Sequence, residues 1–218
     1  MKAKIAGLLA GMVLTLAQTA AAQRAEFGAH LGMALSTVSI KSASGQDATD
    51  ESNVVGMVGG GFLRFRPGRL GVQTELSFVR KGASVVTLNN GDDLNLKLDY
   101  VEVPVLLVVP IAGASPTSAF LYGGPSIALE AGCKGTETSG GTSVHFNCDD
   151  TAFDVFDRRQ MDVGGTLGAG VRVAMGRGAL VADLRYTLGF VNLNKENGDE
   201  IRNRSALISV GYSLVSLR

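Results

Sequence analysis

The chain of 218 residues has no tryptophan, few prolines and only two cysteines, and its charges cancel, with 20 lysines and arginines against 20 aspartates and glutamates. Each shortage excludes something. Two cysteines cannot staple a disulfide-dense scaffold. Without a basic excess the chain does not read as a dedicated nucleic-acid binder. Only 18% of residues are charged while 45% are hydrophobic, which excludes a disordered chain. Past the N-terminal leader, no apolar run reaches the ~20 residues that a membrane helix needs. The best, Val103 to Ile111, carries Pro104 and Pro110. What is abundant is glycine: 29 residues, nearly twice the usual share of roughly 7%, with no collagen period.

Residues 1–22 read as a secretory signal peptide. Lys2 and Lys4 supply the positive start, Ile5 to Ala17 the apolar centre, and Ala20-Ala21-Ala22 the small residues of a cleavage site before Gln23. Residues 23–218 then form one domain, slightly acidic once the two leader lysines are gone. It is exported to a compartment where disulfides can persist.

The mature chain alternates with period two, the signature of strands. Ala206, Ile208, Val210, Tyr212 and Leu214 share one face of the last segment, with Ser205, Leu207, Ser209, Gly211 and Ser213 on the other. Before it, Leu180, Ala182, Leu184, Tyr186, Leu188 and Phe190 oppose Val181, Asp183, Arg185, Thr187 and Gly189. Eight such segments fit, at about 26–35, 54–66, 70–81, 94–109, 118–131, 158–175, 179–191 and 204–216. The links at 36–53, 82–93, 132–157 and 192–203 are long, and those at 67–69, 110–117 and 176–178 are short. Pro67-Gly68 and Gly176-Arg177-Gly178 carry tight-turn chemistry. Strict alternation of long and short links predicts an up-and-down meander. An even strand number lets the first strand pair with the last, giving an all-β, eight-stranded antiparallel barrel without open edges.

Two barrels fit that layout. A soluble lipocalin-like carrier is apolar inside, whereas a bacterial outer-membrane barrel is apolar outside. Here the uniform faces carry Leu, Val, Ile, Phe and Tyr. The mixed faces carry small residues and a sign-balanced set of charges: Arg64, Glu75, Glu102, Arg172, Asp183 and Arg185. Paired charges suit an enclosed polar lumen, and these six residues are the candidate lumen network. Two levels of aromatics match two membrane interfaces: Phe27, Phe65, Phe120 and Tyr212 near the short turns, Phe78 and Phe190 near the long loops. Eight strands leave a lumen about filled by side chains, so no wide pore is expected. Glycines within strands, such as Gly56, Gly59, Gly60, Gly61, Gly164, Gly165, Gly168 and Gly170, make room for bulky lumen neighbours.

The stretches Phe62–Lys81, Leu98–Leu107 and Phe120–Ser126 resemble the outer-membrane β-barrel domain family often called porin-like or PorT-like. Glu75 occupies its third-strand glutamate, and Tyr100, Glu102 and Pro104 its Tyr-x-Glu-x-Pro strand. Asp162-Val163-Gly164-Gly165 with Gly168 and Gly170, and Arg185-Tyr186 with Gly189 and Asn192, continue the match over essentially the whole mature chain. The chain departs from the pattern at its end, Leu217-Arg218, where such barrels usually carry an aromatic residue; its last aromatic is Tyr212. The resemblance implies a bacterial outer-membrane location, with outer-membrane lipid, lipopolysaccharide and the barrel-assembly machinery as partners. The function expected is a structural or interaction scaffold displaying outward loops. The alternatives are a small-solute channel, a lipid-modifying enzyme and the soluble carrier.

Other chemistry is sparse. Cys133 and Cys148 are expected to form a disulfide that stiffens the longest loop. Asp149, Asp150, Asp154 and Asp157 in that loop lack a calcium-site spacing. His30 falls on a lumen face, and His145 with Ser143 imitates part of a hydrolytic triad without a placed acid. Gly165-x-x-Gly168-x-Gly170 has no strand-to-helix transition behind it and is no dinucleotide loop. No catalytic residue, cofactor, metal or nucleic-acid site is assigned.

Overall fold

The computed structural model describes residues 24–41, 47–48, 54–66, 69–87, 93–114, 116–139, 141–147, 160–191 and 200–215. The expected signal peptide, Cys148 and the acidic run 149–157 lie outside them. Among the described residues there are ten strands: β1 (Arg24–Lys41), β2 (Asp47–Ala48), β3 (Val54–Arg66), β4 (Gly71–Thr87), β5 (Asp93–Ala114), β6 (Thr117–Ser139), β7 (Thr142–Asn147), β8 (Met161–Met175), β9 (Gly178–Gly189) and β10 (Glu200–Val215). Eight of them form the barrel in the order β1-β3-β4-β5-β6-β8-β9-β10, and β10 returns to pair with β1. That closing seam is antiparallel and continuous from Glu26–Val215 to Lys41–Glu200. It leaves the sheet without an open edge.

The meander is as the alternating links predict, but the links are smaller than expected: β1 runs on to Lys41 and β4 to Thr87, and the 110–117 and 132–157 links are also partly strand. The 110–117 link shrinks to Ser115-Pro116, because β5 and β6 remain paired to Ala114–Thr117. Ile111 is the extra residue there, opposite the step from Phe120 to Ala119, so the interruption that resembles a loop is a bulge. The 132–157 link holds ordered structure: β6 runs on to Ser139, turns at Gly141, where φ is 84°, and β7 pairs back onto it. β5 and β6, at 22 and 23 residues, are about twice as long as the 9–11 residues that cross a bilayer. With β7 they raise a ribbon beyond the barrel at the long-loop end.

Period-two patterning sorts residues between two solvents. Leu31, Met57, Leu76, Leu167, Leu184 and Ile208 stand outward, with Met57 73% exposed. Glu26, Arg64, Glu75, Lys81, Glu102, Asp162, Asp183 and Arg185 point inward and are buried, Glu75 to 2%. A water-soluble barrel has the reverse arrangement; this one is built for a lipid surround. The lumen is the core. Leu106, Val108, Phe120, Tyr122 and Val181 pack together in its short-turn half, and Ala34, Val58, Val79 and Leu207 in its long-loop half. Phe120 is therefore not part of the outer belt expected for it: its even parity on β6 turns the ring inward, where it is 6% exposed. Phe27, Phe78, Phe190 and Tyr212 are outward as expected.

Candidate functional site

The lumen gathers the barrel's buried chemistry, and alternate positions on each strand place it there. Gln73, Glu75 and Ser77 follow one another down the inner face of β4, and Asp183 and Arg185 down that of β9. Arg185 reaches across the lumen to Glu75, with Nη1 donating to Oε2 at 2.6 Å and Nη2 to Oε1 at 3.2 Å. The same guanidinium donates to Asp183 Oδ1 through Nε and Nη2, both at 3.1 Å. Asp183 also accepts from Tyr122 Oη on β6 and from Ser209 Oγ on β10, each at 2.6 Å. Glu75 accepts from Gln73 Nε2 at 2.6 Å, and Gln73 Oε1 accepts from Arg64 Nε at 2.6 Å. The Arg64 guanidinium lies 4.7 Å from the centre of the Phe120 ring and 5.7 Å from that of Phe62, so aromatic faces cover the rest of its charge.

A second cluster sits toward the short turns. Glu26 receives Arg66 at 2.7 Å and Arg172 at 3.1 Å, accepts from Ser213 Oγ, and lies 3.8 Å from Arg64. A third sits toward the long loops. There Lys81 Nζ donates to Glu102 Oε2 at 2.8 Å, and Asn203 Nδ2 to Asp162 Oδ2 at 3.2 Å.

All six predicted network residues thus face the lumen, but only five are linked, Arg64 bridging the Glu26 cluster and the central one, and Glu102 stands apart. Glu75, Asp183 and Arg185 meet directly, with Arg64 joined through Gln73. Arg172 belongs to the Glu26 cluster, and Glu102 bonds Lys81 rather than any of the other five. Sequence reasoning missed Glu26, Gln73, Lys81 and Asp162 as members. The signal was available in parity: Glu26 shares a face with Gly28 and His30, and Lys81 extends the Gln73–Glu75–Ser77 row by two further steps.

The remaining candidates separate. His30 is buried, and its Nε2 lies 3.0 Å from Ser77 Oγ. His145 and Ser143 occupy exposed positions on β7 and share a face, yet each bonds across to β6: His145 Nδ1 with Thr136 Oγ1 at 2.9 Å, Ser143 Oγ with Thr138 Oγ1 at 3.0 Å. Cys133 is buried on β6 next to Lys134, which pairs with Asn147, and no free cysteine occurs among the described residues. No group of three or more His, Cys, Asp or Glu side chains placed to hold a metal occurs among them either.

Bulky side chains fill the lumen because glycine stands opposite them. A methyl group on Gly170 would come within 2.4 Å of the Phe120 ring, and one on Gly168 within 2.4 Å of the Tyr122 ring. The spaces left are small. One cavity, of about 10 Å³, is bounded by His30, Phe62, Gln73 and Arg185 among others; another of the same size by Lys81, Glu102, Asp162 and Asn203. A volume of that order admits about one water molecule.

The fold is similar to solved outer-membrane barrels. The outer membrane protein OprG from Pseudomonas aeruginosa superposes with a TM-score of 0.53 at 12% identity, over 88% of this chain and 97% of that one. Neisserial surface protein A gives 0.45 at 16% identity, over 86% and 96%. Ail, the attachment invasion locus protein of Yersinia pestis, gives 0.46 at 16% identity, over 87% and 98%. A search of curated protein sequences found no match. The sequence pattern described as outer membrane protein beta-barrel domain matches residues 16–195. An eight-stranded closed barrel with an apolar exterior and a polar, ion-paired lumen, matched by that pattern over most of its length, belongs to the outer membrane protein beta-barrel domain family of the bacterial outer membrane.

Proposed function

We propose that this barrel is a closed scaffold in the outer membrane that presents its long-loop end to the outside and carries no solute through its lumen. The observation that supports this most is the filled interior, in which Phe62, Phe120 and Tyr122 and the Arg185–Glu75–Asp183 cluster leave cavities of about 10 Å³. A hydrated solute needs a continuous path, and each of these spaces takes one water. The β5–β6–β7 ribbon gives the outward end a framed surface of exposed side chains, among them Thr142, Ser143, Val144 and His145. Exposed Lys97 near the long-loop rim suits the phosphates of lipopolysaccharide, beside Arg80, which is bonded to Asp99 at 2.7 and 3.1 Å.

A disulfide between Cys133 and Cys148 belongs to the same reading. It would hold the ribbon's two arms together one step beyond the Lys134–Asn147 pair. For the scaffold itself, the test is planar-bilayer recording of the purified barrel. The expected result is no stepwise conductance above the bare bilayer; stable, voltage-independent steps of uniform size would refute the closed lumen and favour a channel.

A further inference from the structure

The cluster at the long-loop end of the lumen differs from the other two in how its charge is met. Glu26 has three arginines near it, and Asp183 and Glu75 share Arg185 and are further bonded by Tyr122, Ser209 and Gln73. In the upper cluster one ammonium, Lys81, faces two carboxylates, Glu102 and Asp162, and it is spent on Glu102 at 2.8 Å. Asp162 is only 4% exposed. Its carboxylate accepts from Asn203, through Oδ2, and from the Val191 backbone N–H, but Oδ1 has no hydrogen-bond partner and is fully enclosed. No cation lies within ion-pair distance of it among the described residues. A buried carboxylate oxygen left unmet is costly and calls for a counter-charge.

The space beside it is bounded by the Lys81 ammonium and by Ala128, Gly164 and Gly189 as well as by oxygen-bearing side chains. Asp162, Glu102, Ser126, Thr187, Asn203 and Ser205 line a cavity of about 10 Å³. Ser36, whose neighbour across the β1–β10 seam is Ser205, carries a buried hydroxyl without a partner, outside the cavity wall itself. Hard oxygen ligands select a hard cation. The formal charge of the cavity, two carboxylates against one ammonium, is met by a single positive charge, and Lys81 opposes a doubly charged ion. The volume admits a particle of about the size of water and no larger.

We infer that this cavity is a binding site for one dehydrated monovalent cation of the sodium class, held by Asp162 with Glu102 and neighbouring hydroxyl and amide oxygens. The cation replaces the ion-pair partner that Asp162 lacks and completes the charge balance of the lumen. The site stands apart from the scaffold reading, since a closed barrel and a conducting one could each hold it.

The test uses the size limit. The full mature barrel, refolded in a non-ionic detergent, is heated in sodium chloride and in choline chloride at equal ionic strength, with unfolding followed by circular dichroism. Choline does not fit the cavity. The expected result is a midpoint about 2–4 °C higher in sodium, the size of shift a mostly filled site gives in a domain of this length. Asp162→Asn should abolish the difference. Equal midpoints for the parent in both salts would overturn the proposal, as would a sodium effect that survives in Asp162→Asn, which would place the ion elsewhere. Should Asp162→Asn fail to fold, the ²³Na line width decides. The parent barrel should broaden it, and Glu102→Gln, which frees Lys81 to meet Asp162, should not. No broadening by the parent, or equal broadening by both, would refute the site.

Discussion

Glu75 holds Arg185 from the far side of the lumen, and replacing it tests the reading of that lumen as an ion-pair lattice. In the parent it accepts both terminal nitrogens of Arg185 and the Gln73 amide. Glu75→Ala removes all three acceptor contacts in a region that is 2% exposed. Removing one partner of a buried pair costs about 3–5 kcal/mol, because the other charge stays buried. Arg185 keeps two contacts to Asp183, so the expected loss lies at the low end, about 3 kcal/mol, or roughly two decades in the folding equilibrium. The chain has no tryptophan, so urea unfolding in lipid vesicles is best read by far-ultraviolet circular dichroism and by the mobility of unboiled against boiled samples on gels. The double variant Glu75→Leu/Arg185→Met removes both charges together and should recover most of the loss, since apolar replacement of a whole buried pair is often neutral. A Glu75→Ala barrel with the parent's midpoint would refute the lattice. A double variant as weak as the single one would show that packing, and not charge, sets the cost.

Other outcomes follow from the same packing. Gly170→Ala drives a methyl into the Phe120 ring and should cost about 1–3 kcal/mol in the same urea assay, with Phe120→Leu restoring much of it; additive losses in the double variant would contradict the pairing. Leu184→Arg puts a charge at the middle of β9 on the outer face, where lipid exposure should cost roughly 2–4 kcal/mol. A near-silent Leu184→Arg would mean that this face is not against lipid. Cys133→Ser should abolish any gel-mobility difference between reduced and unreduced samples and lower stability by roughly 3 kcal/mol through loop-closure entropy; a parent with two alkylatable thiols under non-reducing conditions would refute the bridge.

The barrel was legible because its two solvents impose two faces. From Leu180 to Leu188 and from Ala206 to Leu214 every second residue is apolar, and the strand parity alone assigns Asp183 and Arg185 to the inside. Parity failed where the backbone adds a residue. Ile111 and Ala131 are such additions, and they made a paired hairpin resemble a loop and ended β6 early. Membership of the network failed for a different reason. A sequence shows that Glu102 faces inward, but the identity of its partner depends on height along the barrel axis, which the stagger between strands sets. Lys81 stands opposite Leu98, four residues from Glu102 along β5, and meets it only because its long side chain reaches along the strand, whereas Arg185, also inward, bonds Glu75. Phe120 shows the same limit, since closeness to a turn suggested an interface residue and the side it faces decided otherwise.

The lumen bonds also bear on the order of assembly. Arg185 and Glu75 are 110 residues apart, Arg172 and Glu26 146, and Ser213 and Glu26 187. None can form while the sheet is open, because each spans strands that become opposed only when β10 meets β1. Until then an inserting sheet carries unpaired carboxylates and guanidiniums beside lipid. A half-closed sheet is accordingly the high point of the folding path. Closure of the β1–β10 seam completes these cross-lumen bonds in one cooperative step, so partly formed barrels should be scarce at equilibrium and slow to leave a surface that keeps their charges wet.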